Sequence, residues 1–382
     1  MCCSREEWMR MRMREAEKKK YVFGKNDTLL VKGVAILMMI YHHCFLDEER
    51  FAGHEVIPTP LSMEMLMNTS NFCKLCVALF VFLSAYGMTI SLKKMKPDMQ
   101  LSASEFTSYT KKRYFNLMQG WLFVFAFCQL FCWFYAKYQP ERYGVKEERA
   151  FVYFILDGLG LADLFHTPTL IATWWYMSLA SIIIVIFPVL ILLYKKIGSE
   201  CFLLCSFILP RVISISYEPL QNWLLVIAFG IVFADKDLLV CMREKSICEN
   251  KYMDKAVKLV ICIAALFLSL YFREECEIGF LYEFRHGILC LFVLYMIYEF
   301  VSPIKYLNSF LRFAGKHSMN IFLIHSFIRH TFFNEFTYSF KYPIVIVAVL
   351  FSISLVLSIV IELLKKITGY NRLVEMLRKK WF

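Results

Sequence analysis

Lysine and histidine side chains lie inside apolar stretches of this sequence, where an ionisable group is costly enough to suggest a function. In the first stretch, Lys32 and His43 are eleven residues apart. Both therefore project from one face of a helix, separated by about 16 Å along its axis. His42 points about 100° away from that face. Lys32 and His43 are thus functional candidates; the alternative is that Lys32 extends to lipid head groups and the histidines cap the outer helix end.

A second group of polar residues lies in an apolar stretch near the C-terminus. Ser318 and His325 are seven residues apart, and Arg329 follows four residues later. The three side chains therefore share a helix face. His325 lies deep in the stretch, where it either lines a cavity or packs among helices.

Three further segments have both a structural and a chemical interpretation. Ser84 and Tyr86 lie in the second apolar stretch, where small and hydroxylated residues favour close helix packing and interhelical hydrogen bonds. Arg113 ends a basic run before the third stretch, and it either sets topology or contacts an anion such as a phosphate. Trp174 and Trp175 open the fourth stretch, as an aromatic belt at the membrane surface or as a platform for a sugar ring.

The composition predicts which element positions these residues, namely the transmembrane α-helix. Hydrophobic residues make up 59% of the 382 positions, charged residues make up 20%, and the mean hydropathy is +0.52. Soluble domains are about half apolar and about a quarter charged. The apolar residues form runs of about 17 to 24, which is long enough to cross a bilayer. We therefore predict an all-α, polytopic integral membrane protein.

The charge and cysteine content exclude two other classes of function. The net charge of +11 comes from basic residues between the apolar runs, which indicates membrane topology rather than nucleic-acid binding. The 14 cysteines lie mostly inside apolar runs, and Cys73 and Cys76 have no second pair in register. We therefore predict small buried hydrophobic cysteines and no metal site.

The apolar runs predict about ten membrane spans. Their approximate positions are 28–46, 72–92, 114–135, 173–194, 200–216, 220–235, 256–272, 284–301, 318–334 and 343–364. Residues 151–165 are also apolar but contain Asp157, Gly158, Gly160 and Asp163. This run predicts a short re-entrant or interfacial helix rather than an eleventh span.

The distribution of charge predicts the orientation of the chain. Alternate segments between spans, starting with the N-terminal one, hold 31 of the 43 Lys and Arg residues. Acidic stretches at 47–49 and 274–275 fall in the other set. By the positive-inside rule, both termini are cytoplasmic. We expect one membrane domain at 26–366, a basic cytoplasmic lead at 1–25 and a basic cytoplasmic tail at 367–382; the first run lacks a signal-peptide cleavage site and should stay in the membrane.

Four motifs, in this order, resemble the acyltransferase 3 family, which includes O-antigen and polysaccharide O-acetylases. The likeness extends from about Asn26 to about Lys366. The matching residues are Lys32-Gly33-Val34-Ala35 through His43, then Phe80-Val81-Phe82-Leu83-Ser84-Ala85-Tyr86-Gly87, then Lys112-Arg113, and finally Gly315, Ser318, Ile321, Phe322, Leu323 and His325. The chain departs from the family pattern at Lys32, where many members have Arg, and at Ala78, Ala85 and Asn116, where Asp, Gly and Arg are usual.

The resemblance implies transfer of an acyl group, usually acetyl, from cytosolic acyl-CoA to a hydroxyl of a sugar or related acceptor. Lys32 and Arg113 would hold the CoA nucleotide. His43 would act as a general base or, alternatively, carry the acyl group as an intermediate. The remaining site residues implied are Ser84, Tyr86, Ser318 and His325 in supporting roles, and Trp174 and Trp175 on the acceptor side.

The resemblance further implies that the protein binds no cofactor and no metal and uses acyl-CoA as a co-substrate. It also implies a multi-pass protein of a bacterial plasma membrane. Two other classes remain open at this point. Ten helices around a polar cavity are also compatible with a transporter of a lipid-linked sugar or small polar solute. A sensory or scaffolding membrane protein is the third possibility. The acceptor and the oligomeric state are not predicted.

Overall fold

The protein is described here by a computed structural model covering residues 22–136, 138–144, 148–213, 215–275 and 280–382. Helices account for 81% of the structure, and the described residues contain no β-strand. The predicted all-α class is confirmed. Most of the predicted basic lead, residues 1–21, lies outside the described residues.

The α-helices of the described residues are numbered here in chain order. They are α1 (Lys25–Phe45), α2 (Met63–Cys73), α3 (Cys76–Met95), α4 (Ala103–Phe131), α5 (Tyr138–Tyr143), α6 (Ala150–Gly158), α7 (Trp175–Val212), α8 (Glu218–Asp235), α9 (Leu238–Glu244), α10 (Lys251–Glu275), α11 (Phe280–Met296), α12 (Lys305–Ser326), α13 (Asn334–Tyr338), α14 (Pro343–Ile367) and α15 (Tyr370–Trp381). Short π-helical segments continue α4, α11 and α12 at Cys132–Ala136, Ile297–Val301 and Phe327–Phe332.

Five helical stretches among the described residues are long and apolar enough to cross a membrane. They are Lys25–Phe45, Met63–Met95, Ala103–Phe134, Ala172–Val212 and Pro343–Ile367. This confirms a multi-pass helical protein, while the count of about ten spans and the orientation of the termini stay predictions. The predicted spans 173–194 and 200–216 fall on the two parts of α7, which is broken at Gly198 with φ +81°.

Other predicted spans fall on helices whose polar residues lower their hydropathy. In α12, His317, Ser318, Asn320 and His325 are all buried. Helix α8 has Glu218 and Asp235 at its ends, with every residue from Trp223 to Ala234 buried between them. Such helices are enclosed by other helices rather than by lipid. A threshold on average hydropathy therefore does not identify them as membrane spans.

The closest helix contact joins α1 to α12. A Cβ added to Gly33 would lie 1.9 Å from the carbonyl oxygen of Leu311, and one added to Gly315 would lie 1.9 Å from that of Leu29. Only glycine permits backbones to approach this closely. Ten residues beyond these glycines in each helix, His43 and His325 are in ring contact, so the two helices run parallel.

The segment 151–165 begins with the nine-residue helix α6, too short to cross a bilayer at about 1.5 Å per residue. Its Asp157 is buried and accepts hydrogen bonds from the Leu170 amide and the Thr169 hydroxyl, both at 2.8 Å. The Trp121 indole of α4 donates to the Gly158 carbonyl at 2.8 Å. The short helix is confirmed, and its position relative to the membrane stays a prediction.

Candidate functional site

A cavity of about 280 Å³ lies between α1, α3, α4, α7 and α12. Five residues selected from the sequence line it, contributed by four helices: Lys32, His43, Ser84, Trp175 and Ser318. The glycine contact between α1 and α12 fixes the two helices that supply Lys32, His43 and Ser318. The site is therefore positioned by backbone packing rather than by long side chains.

Lys32 and His43 both line this cavity, in agreement with their shared helix face. Eleven residues of α-helix separate them by about 16 Å. The cavity therefore extends across about half of a hydrocarbon core, which is about 30 Å thick. An elongated substrate can contact a cation at Lys32 and an imidazole at His43 simultaneously.

The ring of His43 packs against His325, with centroids 5.1 Å apart and planes inclined at 39°. His325 is fully buried, and its Nδ1 lies 2.8 Å from the carbonyl oxygen of Phe322. Because a carbonyl only accepts, Nδ1 carries the proton and Nε2 accepts from the Ser326 hydroxyl at 3.1 Å. His325 is therefore held in one tautomer behind His43 and does not itself line the cavity.

The adjacent histidines of α1 have different surroundings. The Nδ1 of His42 lies 2.8 Å from the carbonyl oxygen of Ser70 and donates to it, which ties α1 to α2. The Nδ1 of His43 is buried and has no hydrogen-bond partner among the described residues. His42 thus has a structural bond, whereas His43 lines the cavity and has no such bond at Nδ1.

Hydroxyl groups from α3, α7 and α12 reach the same cavity. Ser84 donates to the carbonyl oxygen of Phe80 at 2.8 Å. Ser318 and Tyr176 both line the cavity. Tyr176 is not among the site residues predicted from the sequence. Its position directly after Trp174 and Trp175, in one aromatic cluster, is the sequence feature that could have identified it.

Lys74, at the junction of α2 and α3, also lines the cavity and was not selected from the sequence. It lies within electrostatic reach of His42, which places it near the histidine end. Lys74 falls among polar residues before an apolar run, where a lysine has no distinctive signal. The cavity therefore contains two lysines, with Lys32 eleven residues from His43 on α1.

Besides His325, three residues selected from the sequence lie outside this cavity. The Arg113 Nε donates to the Tyr109 hydroxyl at 3.0 Å. Tyr86 is buried with its ring 5.2 Å from that of Phe23. Trp174 is buried and its indole donates to the Leu323 carbonyl at 3.0 Å. All three make packing contacts that the interior of a helix bundle requires.

Arg329 lies beyond His325, in the π-helical segment that follows α12. It is 3% exposed, and its Nε and Nη1 have no hydrogen-bond partner among the described residues. Its guanidinium is within electrostatic reach of both His43 and His325. The histidine pair therefore has a buried permanent cation beside it.

The cavity combines groups that suit transfer to a hydroxyl. An imidazole that lines the cavity can accept a proton, lysine side chains can bind anionic groups, and serine and tyrosine hydroxyls can stabilise negative charge on oxygen. Among the residues that the structure describes, no group of three His, Cys, Asp or Glu side chains could hold a metal ion. Cys73 and Cys76 are buried free thiols.

Comparison with known families agrees with this chemistry. A family model described as an acyltransferase domain, that of the acyltransferase 3 family, matches residues 30–363. Comparisons with curated proteins and with solved structures gave no significant match. The family match includes α1 through α14 apart from a few terminal residues, and so contains every residue that lines the cavity. The protein therefore belongs to the acyltransferase 3 family of membrane acyltransferases.

Proposed function

We propose that the protein transfers an acetyl group from cytosolic acetyl-CoA to a hydroxyl of a cell-surface carbohydrate or related acceptor, in a bacterial plasma membrane. The observation that carries this proposal is the presence of Lys32 and His43 in one elongated cavity. A CoA thioester has its anionic nucleotide and its reacting carbon at opposite ends of a thin pantetheine arm. A cavity with a lysine and a histidine about 16 Å apart suits that shape.

In this proposal the donor enters from the cytoplasmic end. Lys32 contacts the phosphate groups of CoA as a compact point charge, whereas the arginine usual in the family would bind them as a planar fork. Arg113 is outside the cavity and bonded to Tyr109, whose own hydroxyl donates to the Met88 carbonyl at 2.7 Å. We therefore assign Arg113 to the contact between α3 and α4 and the donor contact to Lys32.

The reaction begins when the acceptor oxygen attacks the thioester carbon. His43 removes the acceptor proton as the new C–O bond forms. The tetrahedral intermediate then collapses, the C–S bond breaks, and the thiolate of CoA takes the proton from His43. The products are the O-acyl acceptor and CoA thiol, so no oxidant, metal or further co-substrate is required.

Negative charge develops on the thioester oxygen during this step. The hydroxyls of Ser84 and Tyr176 both line the cavity, so we assign them to donate to that oxygen as its charge develops, with Ser84 exchanging its bond to the Phe80 carbonyl for this one. Ser318 lines the cavity from α12 seven residues before His325, so we assign it to support the donor between Lys32 and His43. His325 is a positioning residue, because it packs behind the His43 ring and has no surface in the cavity.

The acceptor approaches from the opposite end. Trp175 lines the cavity and is assigned to stack on a sugar ring. Trp174 is committed to the interior, where its ring lies 4.6 Å from that of Trp121, so we assign it to packing only. Of the tryptophan pair, a single residue thus forms the acceptor platform.

The test is mass spectrometry of surface glycans and lipids from three cell lines, which carry the wild-type protein, His43→Ala, or no copy. The expected result is a base-labile, acetyl-sized mass that only wild type produces, and this mass also identifies the acceptor. Membrane expression of the variant is verified by blotting. Equal acetylation in all three would contradict the proposal. Substrate movement without any acyl-CoA requirement would favour a transporter of a lipid-linked sugar or small polar solute.

A further inference from the structure

Helix α15 takes no part in the proposed chemistry. Gly369 adopts φ +74°, a left-handed conformation that glycine tolerates and that turns the chain after α14. Residues 370, 373, 374, 377 and 381 then place apolar or aromatic side chains on one face of the helix. This face lies over α4, so the predicted basic tail is an amphipathic helix that packs on the membrane domain.

A crevice of about 830 Å³ separates α15 from α4. It is bounded at one end by Phe115, whose ring lies 5.8 Å from that of Trp381. Tyr370 bounds the other end, where its hydroxyl donates to the Gln119 carbonyl at 2.9 Å. The Arg378 guanidinium crosses to the Gln119 side chain at 2.8 Å. These contacts hold the helices together while leaving the space between them open.

The walls of the crevice are apolar, and three basic side chains lie at its margin in the described structure: two lysines that line it, and Arg378, which is hydrogen-bonded to Asn116 and Gln119. Leu373 and Trp381 line it, yet they remain 48% and 60% exposed because the crevice is open. Lys111 from α4 and Lys380 from α15 are also lining residues. Neither lysine forms an ion pair with any other described residue. An apolar interior with two cations is complementary to an anionic amphiphile.

We propose that this crevice binds an anionic phospholipid, with its phosphate at Lys111 and Lys380 and an acyl chain between α4 and α15. Lys111 lies just before the predicted span that starts near residue 114, where head groups are expected. Leu122 lines the crevice eleven residues further along α4, a distance of about 16 Å. One leaflet of the hydrocarbon core is about 15 Å thick, so an acyl chain fits alongside.

The lipid site has a direct structural connection to the catalytic cavity. On α4, Met118 lines the crevice whereas the preceding residue, Leu117, lines the cavity. The two sites therefore occupy neighbouring faces of one helix. The binding proposal does not depend on the acyl-transfer proposal, and it is tested by a measurement that involves no acyl donor.

The test uses the full-length protein, delipidated in detergent and titrated with short-chain phosphatidylglycerol or phosphatidylcholine, with bound lipid counted by native mass spectrometry. The double variant Lys111→Gln/Lys380→Gln is compared with Lys112→Gln/Lys379→Gln. The second pair removes the same charge from the same two helices at residues that do not line the crevice. Each lysine near an anionic head group contributes measurably to lipid affinity.

We expect the crevice variant to bind phosphatidylglycerol about thirtyfold more weakly than wild type, while the control variant binds nearly as well as wild type and phosphatidylcholine binds weakly throughout. Equal losses in the two double variants, or equal binding of the two lipids, would overturn the proposal. Displacement of the lipid by acetyl-CoA would also overturn it and reassign the crevice to the donor.

A second pair of variants tests the apolar part of the crevice. Leu377 lines it, whereas its neighbour Met376 is 62% exposed and does not. Leu377→Trp fills the space and should expel the lipid, and Met376→Trp should not. Retained lipid in both tryptophan variants would contradict the assignment. Size-exclusion chromatography verifies that every variant remains folded and monodisperse.

Discussion

Two helix pairs in this protein pack in opposite ways. Between α1 and α12, backbone meets backbone at Gly33 and Gly315, and an added Cβ would collide with a carbonyl oxygen at 1.9 Å. Between α4 and α15, side chains such as Phe115 and Arg378 span an open crevice of about 830 Å³. The first pair positions His43, the proposed base, and leaves no space for an added Cβ at either glycine. The second pair has room for a ligand.

The difference in packing matches the role proposed for each helix pair, proton transfer for the first and lipid binding for the second. Proton transfer requires the base within hydrogen-bonding distance of the reacting hydroxyl, and a displacement of about 1 Å reduces the rate about 100-fold. Helices joined at glycines have little freedom to slide, so His43 and His325 keep a fixed relation. A lipid site has no such requirement, because hydrocarbon chains adapt to an apolar wall and a lysine reaches the phosphate flexibly.

The largest expected effect follows from disrupting the contact between α1 and α12. Gly33→Ala or Gly315→Ala inserts a methyl group against backbone, and overpacking costs about 1–3 kcal/mol or more where nothing can move aside. We expect a lower melting temperature in detergent and loss of acyl transfer. Thermal unfolding followed by fluorescence and an acetylation assay measure the two effects.

The matched control for those variants is Gly87→Ala. Gly87 lies inside α3 with no neighbouring atom within 4 Å of an added Cβ. Alanine is favoured over glycine in a helix interior by about 0.5–1 kcal/mol, so this variant should be as stable as wild type or slightly more so. Tolerance of alanine at Gly33 and Gly315 would show that the close contact does not position the site.

The next effect in size concerns the donor end of the cavity. Removing a hydrogen bond to a charged group costs about 1.5–3 kcal/mol, so Lys32→Ala should raise the KM for acetyl-CoA at least about tenfold, with kcat less affected. Lys32→Arg retains the charge and should retain most activity. Lys94→Ala, at an exposed lysine that does not line the cavity, serves as the control. A KM unchanged by Lys32→Ala would place the donor elsewhere.

The smallest effect is expected from the hydroxyls. Ser84→Ala and Tyr176→Phe each remove one neutral hydrogen bond, worth about 0.5–1.5 kcal/mol, so kcat should fall about threefold to tenfold. Ser206→Ala is the matched control, because Ser206 is buried and makes the same bond to a carbonyl four residues earlier, at 2.8 Å, but lies outside the cavity. Initial rates at saturating acetyl-CoA measure the effect. Equal decreases in all three variants would mean that the hydroxyls act on stability alone.

The sequence predicted the fold class and the shared helix face of Lys32 and His43 because both depend on local periodicity. Apolar runs of membrane length identify helices, and a spacing of eleven residues placed Lys32 and His43 on one face, where the structure also has them. The contact between His43 and His325 requires a specific pairing of α1 with α12, which periodicity within one helix does not specify.

The residues that sequence analysis placed less well are those whose environment depends on tertiary packing. Trp174 and Trp175 are adjacent and chemically identical, yet one faces the interior and the other lines the cavity, because a 3-10 turn ends and α7 begins between them. Lys74 lies in a short connection between two helices and shows no pattern. The crevice at α15 required knowledge of where a C-terminal amphipathic helix docks.

The most direct test of the catalytic role of His43 measures donor binding and acyl transfer in the same membranes. Inside-out vesicles from cells that express wild type, His43→Ala or the control His330→Ala, at an exposed histidine, are given isotope-labelled acetyl-CoA. We expect His43→Ala to bind labelled donor as wild type does and to transfer none of it, while His330→Ala transfers normally. Transfer by His43→Ala at the wild-type rate would contradict the assignment of His43 as the base.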